Sequence, residues 1–158
     1  MRRIVVVALA AVLGVVFGQS SWSVGVGAGV AAGAAPSVAL RVETPGWPLD
    51  GEGAPPLALA WRGEVGYAVG ASAPSLAVLG VLSWVTPSWT AVRPYVAAGG
   101  GFGLAAGGLV PTAVVAAGAR VRLWGPVGAF AEVSGAVSEW GRGWGAGLGV
   151  SLELGGGR

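Results

Sequence analysis

The chain has 158 residues, of which 31 are Gly, 54% are apolar and only 10% are charged, with no Cys and no His. An ordinary soluble domain carries about a quarter of charged residues, so this composition argues against a water-soluble globule of the usual kind, and the length suits one domain. All nine basic residues are Arg; without Arg2 and Arg3 seven remain against seven acidic residues, so the rest of the chain is formally neutral and nothing in it asks for nucleic acid.

Met1-Arg2-Arg3 followed by an apolar run over residues 4–17 reads as a secretory leader. Fourteen residues fall short of the roughly twenty that a helix needs to span a bilayer. Cleavage after Gly18 or after Ser20 leaves small residues or Val one and three positions before the cut. We place a cleaved signal peptide at residues 1–20 and a single domain at residues 21–158. Without Cys there is no lipid-modified N-terminal cysteine and no disulfide.

Eight strand segments follow, separated by Gly, Pro and Ser clusters. The first, 22–30, sets Trp22, Val24, Val26, Ala28 and Val30 against Ser23 and three Gly. The second, 37–43, sets Val38, Leu40 and Val42 against Ala39, Arg41 and Glu43, and leads into the longest connection, 44–56. The third, 57–69, sets Leu57, Leu59, Trp61, Val65 and Tyr67 against Ala60, Arg62, Glu64 and Gly66. The fourth, 76–85, is apolar on both faces, and the fifth, 93–104, carries Gly99-Gly100-Gly101. The sixth, 112–124, sets Val115, Ala117, Ala119, Val121 and Leu123 against Val114, Gly118, Arg120 and Arg122. The seventh, 127–137, sets Val127, Ala129, Ala131, Val133 and Val137 against Phe130, Glu132 and Ser134. The last, 144–154, alternates without an error: Trp144, Ala146, Leu148, Val150, Leu152 and Leu154 against Gly145, Gly147, Gly149, Ser151 and Glu153.

Period-two alternation marks strands whose two faces meet different surroundings. Wherever it is clear, the strand charges lie opposite the apolar face: Arg41, Arg62, Arg120 and Arg122 with Glu43, Glu64, Glu132 and Glu153, four of each sign. Their neighbours on that face are chiefly Gly, Ala and Ser, which suits a crowded lumen of ion pairs rather than a water-facing sheet. The apolar face then turns outward into lipid, and closure satisfies the ladder hydrogen bonds that hydrocarbon demands. The expected fold is all-β, an eight-stranded antiparallel up-and-down transmembrane β-barrel, glycine-rich, with the lipid bilayer as partner. Trp22, Trp84, Trp89, Trp124, Trp140 and Trp144 sit at strand ends or in connections, where an interfacial aromatic girdle belongs. Two other readings compete. A soluble secreted lipocalin-like barrel requires the apolar face to turn inward. A helical membrane protein would use the uncharged stretch 94–119, whose Gly and Pro content disfavours a helix.

At Pro94-Tyr95-Val96-Ala97-Ala98-Gly99-Gly100-Gly101-Phe102, and again over residues 145–154, the chain resembles the small eight-stranded outer-membrane barrels of the outer-membrane-protein A and X type. The resemblance implies a Gram-negative-type outer membrane, periplasmic termini, a closed lumen without a wide pore, delivery by the outer-membrane insertion machinery, and a structural, envelope-stabilising or surface-interaction role. One departure is the C-terminus, Gly155-Gly156-Gly157-Arg158, where such barrels end on an aromatic residue.

The chemistry visible in the sequence is sparse. Without His or Cys there is no triad and no nitrogen- or sulfur-ligated metal, so the expectation is no enzyme, no metal and no cofactor. Asp50 and Glu52 in a Gly-rich connection read as a solvated turn before they read as a Ca²⁺ loop, and Gly99–Gly103 lacks the Lys of a phosphate loop. The lumen charges are expected to be an ion-pair plug; the competing role is a narrow transport path or ligand-binding lumen.

Overall fold

The computed structural model describes residues 22–31, 36–49, 56–69, 73–85, 91–105, 108–139 and 141–154. The leader, Asp50, Glu52, Trp89, Trp140 and the C-terminal glycines lie outside these residues. Among the described residues nine strands run in chain order: β1 (Trp22–Ala31), β2 (Pro36–Glu43), β3 (Trp47–Pro48), β4 (Leu57–Ala68), β5 (Ala73–Trp84), β6 (Val92–Ala105), β7 (Gly108–Trp124), β8 (Val127–Ser138) and β9 (Gly141–Leu154). β3 is a two-residue strand paired with Leu59 and Ala58 of β4. The other eight match the eight expected segments, with several starts moved outward, β5 to Ala73 and β7 to Gly108, and with β4 and β5 each ending one residue earlier than expected.

The eight long strands pair antiparallel with their neighbours, and two pairings close the ring. β1 lies along β9 from Trp22↔Leu154 to Ala31↔Gly145, and β2 lies along β4 from Ser37↔Ala68 to Glu43↔Arg62. A closed ring leaves no long edge to be satisfied by water. Both ends of the described chain, Trp22 and Leu154, sit at one rim, here called the termini side. The connections 44–56, 85–91 and 125–126 are on that side, and the short connections 32–35, 69–72, 106–107 and 139–140 are on the other, here called the loop side. Gly125 adopts φ +51° in the two-residue turn from β7 to β8, a conformation that favours glycine.

Prolines within strands follow the ladder. Pro36, Pro74, Pro94 and Pro111 each pair with one neighbouring strand, and each lies one residue outside the pairing with the other, which starts at Ser37, Ser75, Tyr95 and Thr112 respectively. A residue without an N–H is accommodated where a strand is momentarily an edge.

The exterior is apolar along its whole height. Val26, Leu76, Phe102, Val115, Val133 and Leu148 are each more than half exposed, Leu148 at 70%. A contiguous apolar belt of this kind is unstable against water and stable against hydrocarbon, and strands of 12 residues such as β4, β5 and β8 reach across it when tilted. The outward-facing apolar set is the one expected from the alternation, and the inward-turned soluble barrel is not what forms. The helical membrane reading fails as well, since residues 94–105 and 108–119 are strand.

Refolded into detergent, the protein is expected to give β-type circular dichroism and to run faster on a cold SDS gel than after boiling, because a closed ladder resists the detergent until heated. Equal migration of both samples, or a helical spectrum, would refute the closed barrel.

Candidate functional site

The inward face divides into two walls. Between β4 and β7 an apolar patch is tightly packed: Ala60, Leu79, Val81, Ala97 and Ala116 are buried together with the ring of Tyr95. This wall was not legible from the alternation, since β5 offers apolar residues to both faces. Along β8, β9, β1 and β2 the interior positions are largely Gly and Ser, with Phe130 and Glu132 of β8 and Arg41 and Glu43 of β2 rising between them; Arg62 and Glu64 of β4 and Arg120 of β7 complete the charged set.

The charges form one network. On β2 and β4 the pairs are set by register: Arg41 faces Glu64, and Glu43 faces Arg62. The sequence carries this signal, because Arg41-Val-Glu43 and Arg62-Gly-Glu64 are charge-complementary when laid antiparallel. Arg41 Nε lies 2.8 Å from Glu64 Oε2, an ion pair without hydrogen-bond geometry, and Arg41 Nη2 donates to Glu132 Oε1 at 2.7 Å. Arg62 donates from Nε to Glu43 Oε2 at 3.1 Å and from Nη1 to Glu132 Oε2 at 2.6 Å. Tyr95 OH donates to Glu132 Oε2 at 2.8 Å. Arg120 holds both oxygens of Glu43, Nη1 at 2.6 Å to Oε1 and Nη2 to Oε2. Arg62 is 1% exposed, the most deeply buried charge in the molecule among the described residues.

Two aromatic rings brace the network, and glycines make room for them. The guanidinium of Arg41 lies 4.5 Å from the centroid of Phe130, and those of Arg62 and Arg120 each lie 4.9 Å from the centroid of Tyr95. In the ladders Phe130 stands opposite Gly149, and Tyr95 opposite Gly118. A Cβ on Gly149 would come within 2.5 Å of Phe130 Cζ, one on Gly27 within 2.9 Å of it, and one on Gly118 within 2.7 Å of Tyr95 Cζ. Each ring thus rests on glycine on a neighbouring strand and carries a cation, so the interior glycines belong to the site. Tyr95 escaped the sequence reading because its strand shows no clear alternation; Tyr and Phe next to arginines in an otherwise small-residue lumen would have been the cue.

Of the eight expected lumen residues, the structure brings together Arg41, Glu43, Arg62, Glu64, Arg120 and Glu132. Arg122 and Glu153 share the inward face but are exposed at the termini-side mouth, where Arg122 Nε donates to the carbonyl of Gly125 at 2.9 Å. They are not in the network: alternation selects a face, while height along the barrel is set by register. Among the expected interfacial aromatics, Trp84 and Trp124 are exposed at strand ends, Trp124 at 69%, Trp144 is exposed three residues inside the start of β9, and Trp22 is half-buried. Trp84 and Trp124 mark the termini side and Trp144 the loop side.

The network divides the lumen. Toward the loop side lies a cavity of about 210 Å³ lined by Gly27, Ser37, Ala39, Arg41, Glu64 and Ser134 among others, and toward the termini side only about 20 Å³ remains beside Ser23, Arg62, Arg120 and Ser151. The smaller space holds roughly one water. Three arginines meet three glutamates with every carboxylate engaged. Among the described residues no group of three acidic side chains stands close enough to hold a metal ion.

No family model matches the chain, and no curated protein matches it. Solved structures do. A de novo designed transmembrane β-barrel is similar with a TM-score of 0.62 at 20% identity, covering 87% of this chain and 98% of that one. The N-terminal β-barrel domain of Pseudomonas aeruginosa OprF is similar with the same TM-score and identity, covering 87% of this chain and 99% of that one. The outer membrane enzyme PagL is similar with a TM-score of 0.52 at 14% identity, covering 82% of this chain and 98% of that one. These likenesses show the fold, a closed antiparallel eight-stranded transmembrane barrel.

Proposed function

We propose that the protein is a non-enzymatic integral barrel of a Gram-negative-type outer membrane, exported by a cleaved leader over residues 1–20, inserted by the outer-membrane assembly machinery, and structural in role. The observation that carries this reading is the filled lumen: Arg62, Glu43, Glu132 and Tyr95 close the barrel at mid-height and leave about 20 Å³ on the termini side. Eight strands enclose little more than side chains, so a solute path would need the network to come apart. The loop-side connections of two to four residues offer little chain for adhesion, which favours envelope stability over surface interaction. The outer membrane enzyme PagL, a solved structure of the same fold, supports the location, and the likeness to it is one of fold. The chain has neither His nor Cys, and among the described residues the buried carboxylates are engaged by arginine, which leaves none of them prepared as a general base.

The loop-side cavity of about 210 Å³ favours one second reading, a small ligand-binding lumen. Planar-bilayer recording separates the two readings from a transport role. The refolded protein is expected to add no steady conductance, and vesicles containing it to exclude small sugars as bare vesicles do. A stable open channel in the unaltered protein would end the structural reading.

A further inference from the structure

At the termini-side mouth, three arginines spring from one small area of the lumen wall. Arg93 of β6 stands directly opposite Arg120 of β7, and Arg122 follows two residues along on the same face. Directly opposed residues have Cβ atoms about 5 Å apart and diagonal ones about 7 to 8 Å, and like charges so placed are unfavourable unless an anion is shared between them. Arg120 has its anion, since both oxygens of Glu43 are bound to it. Arg93 and Arg122 have none among the described residues. Both are exposed, and Arg122 donates only to a backbone carbonyl. Among the described residues the other carboxylate of this mouth is Glu153, which stands on β9 with β8 between it and Arg122, and Glu43 is already shared by Arg62 and Arg120. Trp124, two residues from Arg122 and 69% exposed, and Trp84 at the same rim put this end of the barrel at the height where aromatic side chains meet lipid headgroups.

We propose that Arg93 and Arg122 form a phosphate-binding mouth on the termini side of the barrel. The class of ligand follows from the donors. A guanidinium presents a planar fork of N–H groups that one carboxylate saturates, whereas two forks set side by side suit a tetrahedral oxyanion with three or four acceptor oxygens. Such a phosphate comes either from a lipid headgroup of the adjoining leaflet or from a soluble phosphate, and the mouth recognises the chemistry common to both.

The full chain, refolded in an uncharged maltoside detergent, is titrated with inorganic phosphate in one arm and with phosphatidylglycerol in mixed micelles in the other, with Trp fluorescence and calorimetry as readouts. Saturable binding in the first arm that weakens about tenfold in each of Arg93→Gln and Arg122→Gln, and is unmoved by Arg142→Gln at the loop side, establishes the site with a soluble ligand. The same pattern in the lipid arm alone establishes it with a headgroup ligand. Cold and boiled gel migration confirms that each variant is folded, and these exposed positions leave the ladder intact. No saturation in either arm, or equal binding by the Arg93→Gln/Arg122→Gln double variant, overturns the proposal.

Discussion

Glu132→Gln is expected to cost the folded barrel about 3 to 5 kcal/mol, the range for removing one partner from a buried ion pair and leaving the other charges unmatched. Glu132 accepts from Arg41 Nη2 at 2.7 Å, from Arg62 Nη1 at 2.6 Å and from Tyr95 OH at 2.8 Å. Gln keeps the volume and one acceptor oxygen but turns an amide N–H₂ toward a guanidinium, and it leaves three lumen arginines facing two glutamates. The loss is read as a lowered urea midpoint for unfolding from lipid vesicles, followed by Trp fluorescence. Glu153→Gln, exposed at the mouth and outside the network, should shift the midpoint by no more than about 0.5 kcal/mol. Adding Arg41→Gln to Glu132→Gln should recover part of the loss, because it removes one orphaned cation, so the double-mutant cycle is strongly non-additive. A Glu132→Gln cost under about 1 kcal/mol would mean that water screens the lumen as it screens a surface pair, and the plug would no longer account for a closed barrel.

The same network shows what a period-two pattern can and cannot convey. For the eight charges on clearly alternating strands the face was legible from alternation alone, and so were the apolar exterior and the eight strands, whereas Arg93 on β6 and Arg142 on β9 were not placed. Depth was not legible. Arg120 and Arg122 are two residues apart on one strand and one face, yet one grips Glu43 inside and the other reaches a turn carbonyl at the mouth. That difference arises from interstrand register, a long-range property to which single-strand periodicity is blind. The apolar wall formed by Leu79, Val81 and Ala97 was hidden for a related reason. There both faces of the sheet are apolar, one against lipid and one against the packed interior, and alternation loses its contrast. Glycine was misleading in a different way. Read as uniform small filling of a narrow lumen, the glycines prove unequal: Gly118 and Gly149 seat aromatic rings, while Gly103 has nothing within 4 Å of where its Cβ would stand.

That inequality is sharpest at Gly99-Gly100-Gly101, three identical residues expected to respond in opposite ways. Gly99 and Gly101 face inward opposite Leu79 and Ala77, and the β5 backbone passes so close that a Cβ on Gly99 would lie 2.8 Å from Leu79 Cα and inside contact with the carbonyl oxygen of Val78. On Gly101 it would lie 2.7 Å from Ala77 Cα and inside contact with the oxygen of Leu76. The obstacle is backbone rather than the end of a movable side chain, so β5 and β6 must separate or bend. Overpacking of a core costs about 1 to 3 kcal/mol where side chains can give, and here the figure should exceed about 3 kcal/mol, a large part of the total stability of a small domain. Gly99→Val and Gly101→Val are therefore expected to abolish most of the fast-migrating folded species on cold gels. Gly100 points outward, and its added Cβ would meet only the oxygen of Thr112, at 3.6 Å, an ordinary contact. Gly100→Val should fold as well as the parent, since it adds apolar surface against lipid and raises strand propensity. Equal failure of all three would mean that the segment needs glycine for backbone freedom throughout. Equal tolerance would mean that β6 does not press on β5 as the register places it.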